Sequence, residues 1–325
     1  MKTNKKMLSV LMVLIMAFTN ITSVFAYTDK DVDSKIKSTS SYILKTVSEP
    51  SPGSIGGEWA IIGLSRSGAA VPKHYYDNYY KRVEDNVKKT KGVLHNKKYT
   101  EYSRTIIALS AIGKDPSNVG GYNLLEKLGD YDKTVWQGIN GPIFALIALD
   151  TKNYKIPQNN EAKTQASRDL YIKAILKQQL KDGGFALTGE KADADITAMA
   201  LQALSKYQNK KDVKHATEKA LTCLSKMQKQ DGGYESWGSA NLESSAQVLT
   251  ALCELGISPK DKRFVKNGNT VIDNMMTFYT KEGFIHTKDG SGNSMMSTEQ
   301  AFYALVSYQR VTDGKNSLYR MSDAK

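Results

Sequence analysis

Apolar residues recur at helical spacing along nearly the whole chain, and they recur in copies. A short apolar phrase appears as IIGL ending at Leu64, IIAL at Leu109, LIAL at Leu149, LQAL at Leu204, LTAL at Leu252 and FYAL at Leu305. The marker leucines are separated by 45, 40, 55, 48 and 53 residues, a period that belongs to stacked supersecondary units. Around each phrase the apolar positions share one helix face, as Ile196, Met199, Ala200, Ala203 and Leu204 do. Small residues stand one and four positions before the marker (Ala145 and Ala148, Ala200 and Ala203, Ala301 and Ala304). These inner helices are therefore expected to pack closely.

A more polar, lysine-rich segment precedes each phrase, as in SRDLYIKAILKQQLK and VKHATEKALTCLSKMQK. Such segments read as amphipathic outer helices with one buried stripe. Glycines close them at Asp182-Gly183-Gly184, Asp231-Gly232-Gly233 and Glu282-Gly283, and Phe185, Tyr234 and Phe284 follow. Glycine supplies the left-handed turn past a helix end. Asp193 or Asp195, and Ser297 or Thr298, are candidate caps for inner helices. No useful stretch alternates at strand period. The pattern predicts six outer–loop–inner hairpins, an array that can stay open or close into a ring.

Composition narrows the class. The chain has 325 residues, and its 40% hydrophobic and 24% charged content excludes wholesale disorder. Two cysteines exclude a disulfide scaffold. The start reads MKTNKK, MLSVLMVLIMAF and TNITSVFA, with Val24 and Ala26 at a small-residue cleavage site. That is the layout of a cleaved export signal, too short and interrupted for a membrane anchor. The expected division is a signal peptide over 1–26 and one domain over 27–325, secreted, with no later transmembrane segment. Removing Lys2, Lys5 and Lys6 lowers the formal charge from +12 to +9. Outside the cell a basic surface meets anionic wall polymers or the membrane face, or simply keeps outer helices soluble. Nucleic acid is not expected, because KKTKG and HNKK carry no interleaved aromatics. Cys223 and Cys253 flank the loop of the fifth hairpin, which leaves both a bridge and two buried thiols open.

The phrases QLKDGGF and MQKQDGGY carry a specific resemblance. Gln179-x3-Gly183-x-Phe185 and Gln228-x3-Gly232-x-Tyr234 are similar to the Q-x3-G-x-aromatic motif of the prenyltransferase and squalene-oxidase repeat. DADITAMALQAL, NLESSAQVLTALCELGISP and STEQAFYALVSY resemble secreted bacterial members of that superfamily. They are also similar to the helical domain of the intrinsic factor and transcobalamin group. The resemblance implies an all-α (α/α)6 barrel over the mature chain. It leaves function open among terpene cyclisation, prenylation, thioester chemistry and cobalamin binding.

Each chemistry can be tested on residues. Cyclases protonate an olefin from D-x-D-D, whereas this chain has Asp193-Ala194-Asp195-Ile196. Cys223 and Cys253 lack a histidine at ligand spacing, so zinc is not expected. Ser297-Thr298-Glu299-Gln300 lacks the thiol of a thioester. The motifs therefore point away from catalysis.

In a closed ring the inner-helix N-termini converge on one rim with positive potential. Nine before the markers stand Ile55, Thr100, Asn140, Asp195, Glu243 and Met296; five before stand Trp59, Arg104, Phe144, Met199, Gln247 and Gln300. Glu58, Tyr102, Trp136, Tyr234, Trp237 and Glu299 are further rim candidates. Aromatics beside amides and acids suit a large flat ligand. His95 and His286 lie on rim loops and could offer an axial nitrogen to cobalt. Asp289-Gly290-Ser291-Gly292-Asn293 lacks the closing glutamate of a calcium loop and reads as a turn.

Together with the resemblance, these positions predict an exported, non-catalytic small-molecule carrier with cobalamin or a related corrinoid at the mouth. A separate lid or transport protein would replace the second domain of the eukaryotic carriers. One alternative is a toroid enzyme, cyclase-like or polysaccharide-active, using Glu58, Asp195, Glu243 and Glu299. Another is a wall-associated adhesion or scaffold module.

Overall fold

The structure, a computed structural model, describes residues 27–281, 283–292 and 294–325. The expected export segment lies outside the described residues. In chain order, α1 (Asp29–Thr46) leads to α2 (Glu58–Ser67), α3 (Lys73–Lys89) to α4 (Thr100–Ala111), and α5 (Tyr131–Val135) to α6 (Asn140–Asp150). Then α7 (Arg168–Leu176) leads to α8 (Ala194–Leu204), α9 (Lys211–Met227) to α10 (Leu242–Glu254), and α11 (Val271–Met276) to α12 (Ser294–Thr312). Each even-numbered helix packs on the next, and α12 packs back on α2. The ring is closed, an all-α (α/α)6 barrel. Its only strands among the described residues are two-residue pairs: β1 (Glu235–Ser236) with β2 (Ser239–Ala240), and β3 (Tyr279–Thr280) with β4 (Gly283–Phe284).

Small residues allow the closure. Ala145, Ala148, Ala200, Ala301 and Ala304 are fully buried. At the seam a Cβ on Gly63 would lie 2.6 Å from the Phe302 ring, so only hydrogen fits between α2 and α12. The outer layer is less regular than the sequence pattern suggests. The third and sixth outer helices shrink to α5 and α11, and α7 ends at Leu176 rather than near Lys181.

The repeated motif has a mechanical role. Gln179 Nε2 donates to the Gly183 carbonyl and to the Ala216 carbonyl, both at 2.8 Å. Gln228 Nε2 donates to the Gly232 and Phe264 carbonyls, both at 2.9 Å. Each amide therefore ties its own glycine turn to the next repeat. The aromatic that follows is clamped by a hydroxyl seven before the marker leucine. Phe185 N donates to Thr197 Oγ1 and Phe284 N to Thr298 Oγ1, both at 2.9 Å, while Tyr234 N donates to Ser245 Oγ at 3.3 Å. Thr298 is thus a clamp and not a cap, since α12 begins three residues before Ser297. Asp193 caps α8 through the Ile196 N–H at 3.0 Å, leaving Asp195 inside the first turn.

The C-terminal tail seals the end of the barrel opposite the rim. Met321 N donates to Thr151 O, and Glu254 accepts from Ser317 Oγ and Tyr319 N. Asp323 accepts from Arg66 Nη1 at 2.8 Å and from Arg310. Both guanidinium groups are buried. Cys223 and Cys253 are free, buried thiols, which decides against the bridge. No described helix is long and apolar enough to cross a membrane.

Candidate active site at the barrel mouth

Below the rim the lumen is filled. The Trp59 ring lies 5.6 Å from Tyr303 and 6.2 Å from Phe144, centroid to centroid. Gln247 Nε2 donates to Gln300 Oε1 at 3.0 Å and to the Tyr303 hydroxyl at 2.7 Å, and Gln202 Nε2 donates to Gln247 Oε1 at 2.9 Å. Gln202 and Tyr303 were not foreseen; both stand two before a marker leucine, one turn deeper on the lumen face. These amides hold one another and are not free for a ligand.

An open cleft of about 380 Å³ remains at one sector of the mouth. Asn140 and Met199 line it, with Asp195, the loop carrying Leu187, Lys191 and Asp193, and Trp237. Only Asn140, Asp195 and Trp237 were foreseen as ligand-binding residues. The lining loop follows the Gly-Gly-Phe turn, and nothing in its composition marks it. Trp237 is 83% exposed at the tip of the β1–β2 hairpin, with φ of 54°. A left-handed tryptophan costs about 1 kcal/mol, and such strain concentrates at working sites.

Asp195 is the distinctive acid here. Its Oδ1 is buried with no donor within hydrogen-bond distance, the nearby Ser244 hydroxyl being likewise buried and unpaired. Burial pushes its pKa up to about 6. The Ser244 hydroxyl opposes that rise, Asp193 and Glu243 add to it, and His286 opposes it again. Desolvation thus outweighs the helix N-terminus, which would favour the charged form. Asp193 itself is engaged as a cap and with Ser236. Glu243 is 5% exposed and accepts from Ser297 Oγ at 2.5 Å, while His286 Nδ1 lies 2.6 Å from its other oxygen.

Several foreseen rim residues are structural. Glu58 accepts from Ser54 N at 2.6 Å and Gly53 N at 3.1 Å and pairs with Arg104 at 3.2 Å. Glu299 accepts from Gly56 N at 2.9 Å. Both acids stand six before a marker, turned into the wall, where they anchor the loop ahead of α2. Burial raises the Glu299 pKa to about 8, the Gly56 N–H opposes this, and Glu58 adds to it. Tyr102 is buried with its hydroxyl accepting from Leu94 N at 3.0 Å, and Tyr234 is core, 1% exposed. His95 Nδ1 accepts from Lys97 N and Lys98 N, which makes it a loop staple. Trp136 is exposed, with Lys97 Nζ 5.4 Å from its ring centroid. Among the described residues no three His, Cys, Asp or Glu side chains gather as a metal site.

Neither a protein-family model nor a curated protein matches the sequence. Solved structures do match in fold. A UGL variant with dGlcA-Glc-Rha-Glc aligns with TM-score 0.58 at 12% identity, covering 91% of this chain and 100% of its own. The unsaturated glucuronyl hydrolase of Bacillus sp. GL1, responsible for degrading glycosaminoglycan, aligns at 0.57, with the same identity and coverage. The type II terpene cyclase MstE of Scytonema, with merosterolic acid A as product, aligns at 0.52 and 12% identity, covering 87% of this chain and 98% of its own. The chain therefore has the toroid fold of these enzymes.

The expectation of a non-catalytic corrinoid carrier is corrected by this result. The solved toroids it matches are described as enzymes, and none of those named is described as a corrinoid carrier. The geometry agrees: Gln247 and Gln300, foreseen as partners for corrin amides, are bonded to each other.

Proposed function

We propose that this chain is an exported enzyme that hydrolyses a glycosidic link in an acidic saccharide, with Asp195 as proton donor. The observation that carries this is Asp195 itself, a cleft-lining carboxyl with an orphaned buried oxygen and a raised pKa. A general acid must hold its proton near working pH, and desolvation is how a carboxyl does so. The exposed Trp237 ring offers an apolar face to a sugar, and Lys191 a cation to its acid group. The mature charge of +9 suits an anionic polymer substrate. The related fold of a glycosaminoglycan-degrading hydrolase supports the same class. A terpene substrate is disfavoured because Trp59, Phe144 and Tyr303 fill the lumen where an apolar chain would lie.

The test is turnover of acidic oligosaccharides, including unsaturated uronides, by the purified chain and by Asp195→Asn. Release of new reducing ends, lowered about 10²- to 10⁴-fold by the substitution, supports the reading. Equal turnover by both proteins removes Asp195 from the chemistry. No turnover across the panel removes the saccharide.

A further inference from the structure

A carboxylate–imidazole pair, Glu243 with His286, stands one helix along from Asp195. Asp195 and Glu243 both stand nine before their marker leucines, at the same rim level of α8 and α10. Those two helices pack directly against each other. Glu243 is buried, and each of its carboxylate oxygens has a partner: Ser297 Oγ at 2.5 Å and His286 Nδ1 at 2.6 Å. A buried carboxylate is an acceptor, so the proton of a neutral His286 sits on Nδ1 and the lone pair on Nε2.

The ring is fixed on more than one side. Leu242 N donates to the His286 carbonyl at 3.1 Å, tying its backbone to the start of α10. Gly292 lies against the ring edge, where a Cβ would be 2.4 Å from Cδ2. The side chain keeps 27% exposure, so it is held without being sealed off. The charged groups near it are Glu243, Asp195 in the first turn of α8, and Lys288 and Asp289 on the following turn. Lys288 is directed to Asp231 at 3.8 Å, and Asp289 accepts from Thr287 and Ser291.

We infer that His286 is the general base that activates the attacking water, with Glu243 as its positioning residue. This rests on the reading of Asp195 as the acid. His286 Nε2 takes one proton from water, and the water oxygen bonds to the anomeric carbon. The glycosidic C–O bond breaks, and the leaving oxygen takes the Asp195 proton. Solvent then reprotonates Asp195 and removes the proton from His286, which completes the cycle. A carboxylate–imidazole pair used this way fixes both tautomer and ring orientation.

The experiment compares the wild-type chain with His286→Gln, His286→Ala, Glu243→Gln and Asp195→Asn on the same acidic oligosaccharide. His286→Gln is expected to lower kcat about 10²- to 10⁴-fold with little change in KM. Added imidazole should restore turnover to His286→Ala, which a merely structural histidine would not allow. Glu243→Gln should cost about 10- to 100-fold. Nitrogen NMR of the wild-type imidazoles gives a readout free of substrate: the Nδ1–H tautomer is expected at His286. An Nε2–H tautomer overturns the proposal. So does wild-type turnover in His286→Gln with Asp195→Asn inactive, which leaves the Asp195 reading standing. Activity in both variants overturns the two together.

Discussion

Glu299 offers a direct test of how the mouth is built. Its carboxyl is fully buried, with one oxygen on the Gly56 N–H and the other without a partner. The pKa rises from 4.5 to about 8, first through burial, against the Gly56 bond and with help from Glu58. The folded chain therefore binds this proton more tightly than the unfolded chain does. Stability from this group is complete below about pH 4.5 and declines as pH rises to about 8. At about 1.4 kcal/mol per pKa unit, the ceiling on the loss is about 5 kcal/mol, of which about 3 kcal/mol is gone by pH 7. Glu299→Gln keeps the acceptor for Gly56 and cannot ionise. Urea unfolding midpoints of both proteins, taken from about pH 5 to about pH 9, measure the difference. Other titrating groups, Asp195 included, are common to both and cancel. The variant should gain steadily on the wild type as pH rises. A constant difference across that range would refute the argument that Glu299 is held neutral in the wall.

Three further outcomes follow from particular contacts. Turnover should fall as pH rises through about 6, because Asp195 must keep its proton to act; a profile flat through that region argues against it as the acid. In Gly184→Ala the new Cβ would meet Ala192 Cβ at 2.4 Å, Thr197 Oγ1 at 2.8 Å and Cys223 Sγ at 3.0 Å. That crowding at the repeat junction should cost about 1–3 kcal/mol in chemical denaturation. Asp323→Ala strips the shared counter-charge from the buried Arg66 and Arg310. It should cost about 3 kcal/mol, read from thermal melting, while kinetics at the far end of the barrel stay unchanged.

The six hairpins were legible because a helix writes its buried face into the chain every three to four residues, and this chain writes it six times. The glycine turns were equally plain, and Gln179 and Gln228 could be recognised as a motif before their hydrogen bonds were known. Helix lengths were not: α5 and α11 shrink because packing against neighbours, and not local propensity, sets where an outer helix survives. The rim register also came from the sequence, since a fixed offset from the marker leucine is a fixed height on the wall.

What a side chain meets at that height belongs to the tertiary structure. Glu58 and Glu299 share a register that turns them into the wall, while Asp195, three residues earlier in register, lines the cleft. Gln247 and Gln300 are 53 residues apart and bond to each other. His286 and Glu243 are 43 apart and form a pair. Periodicity gives the height of a residue and the face it occupies. Only closing the ring decides which helices become neighbours, which polar groups satisfy one another, and which carboxyl is left lining the cleft with its pKa raised by burial.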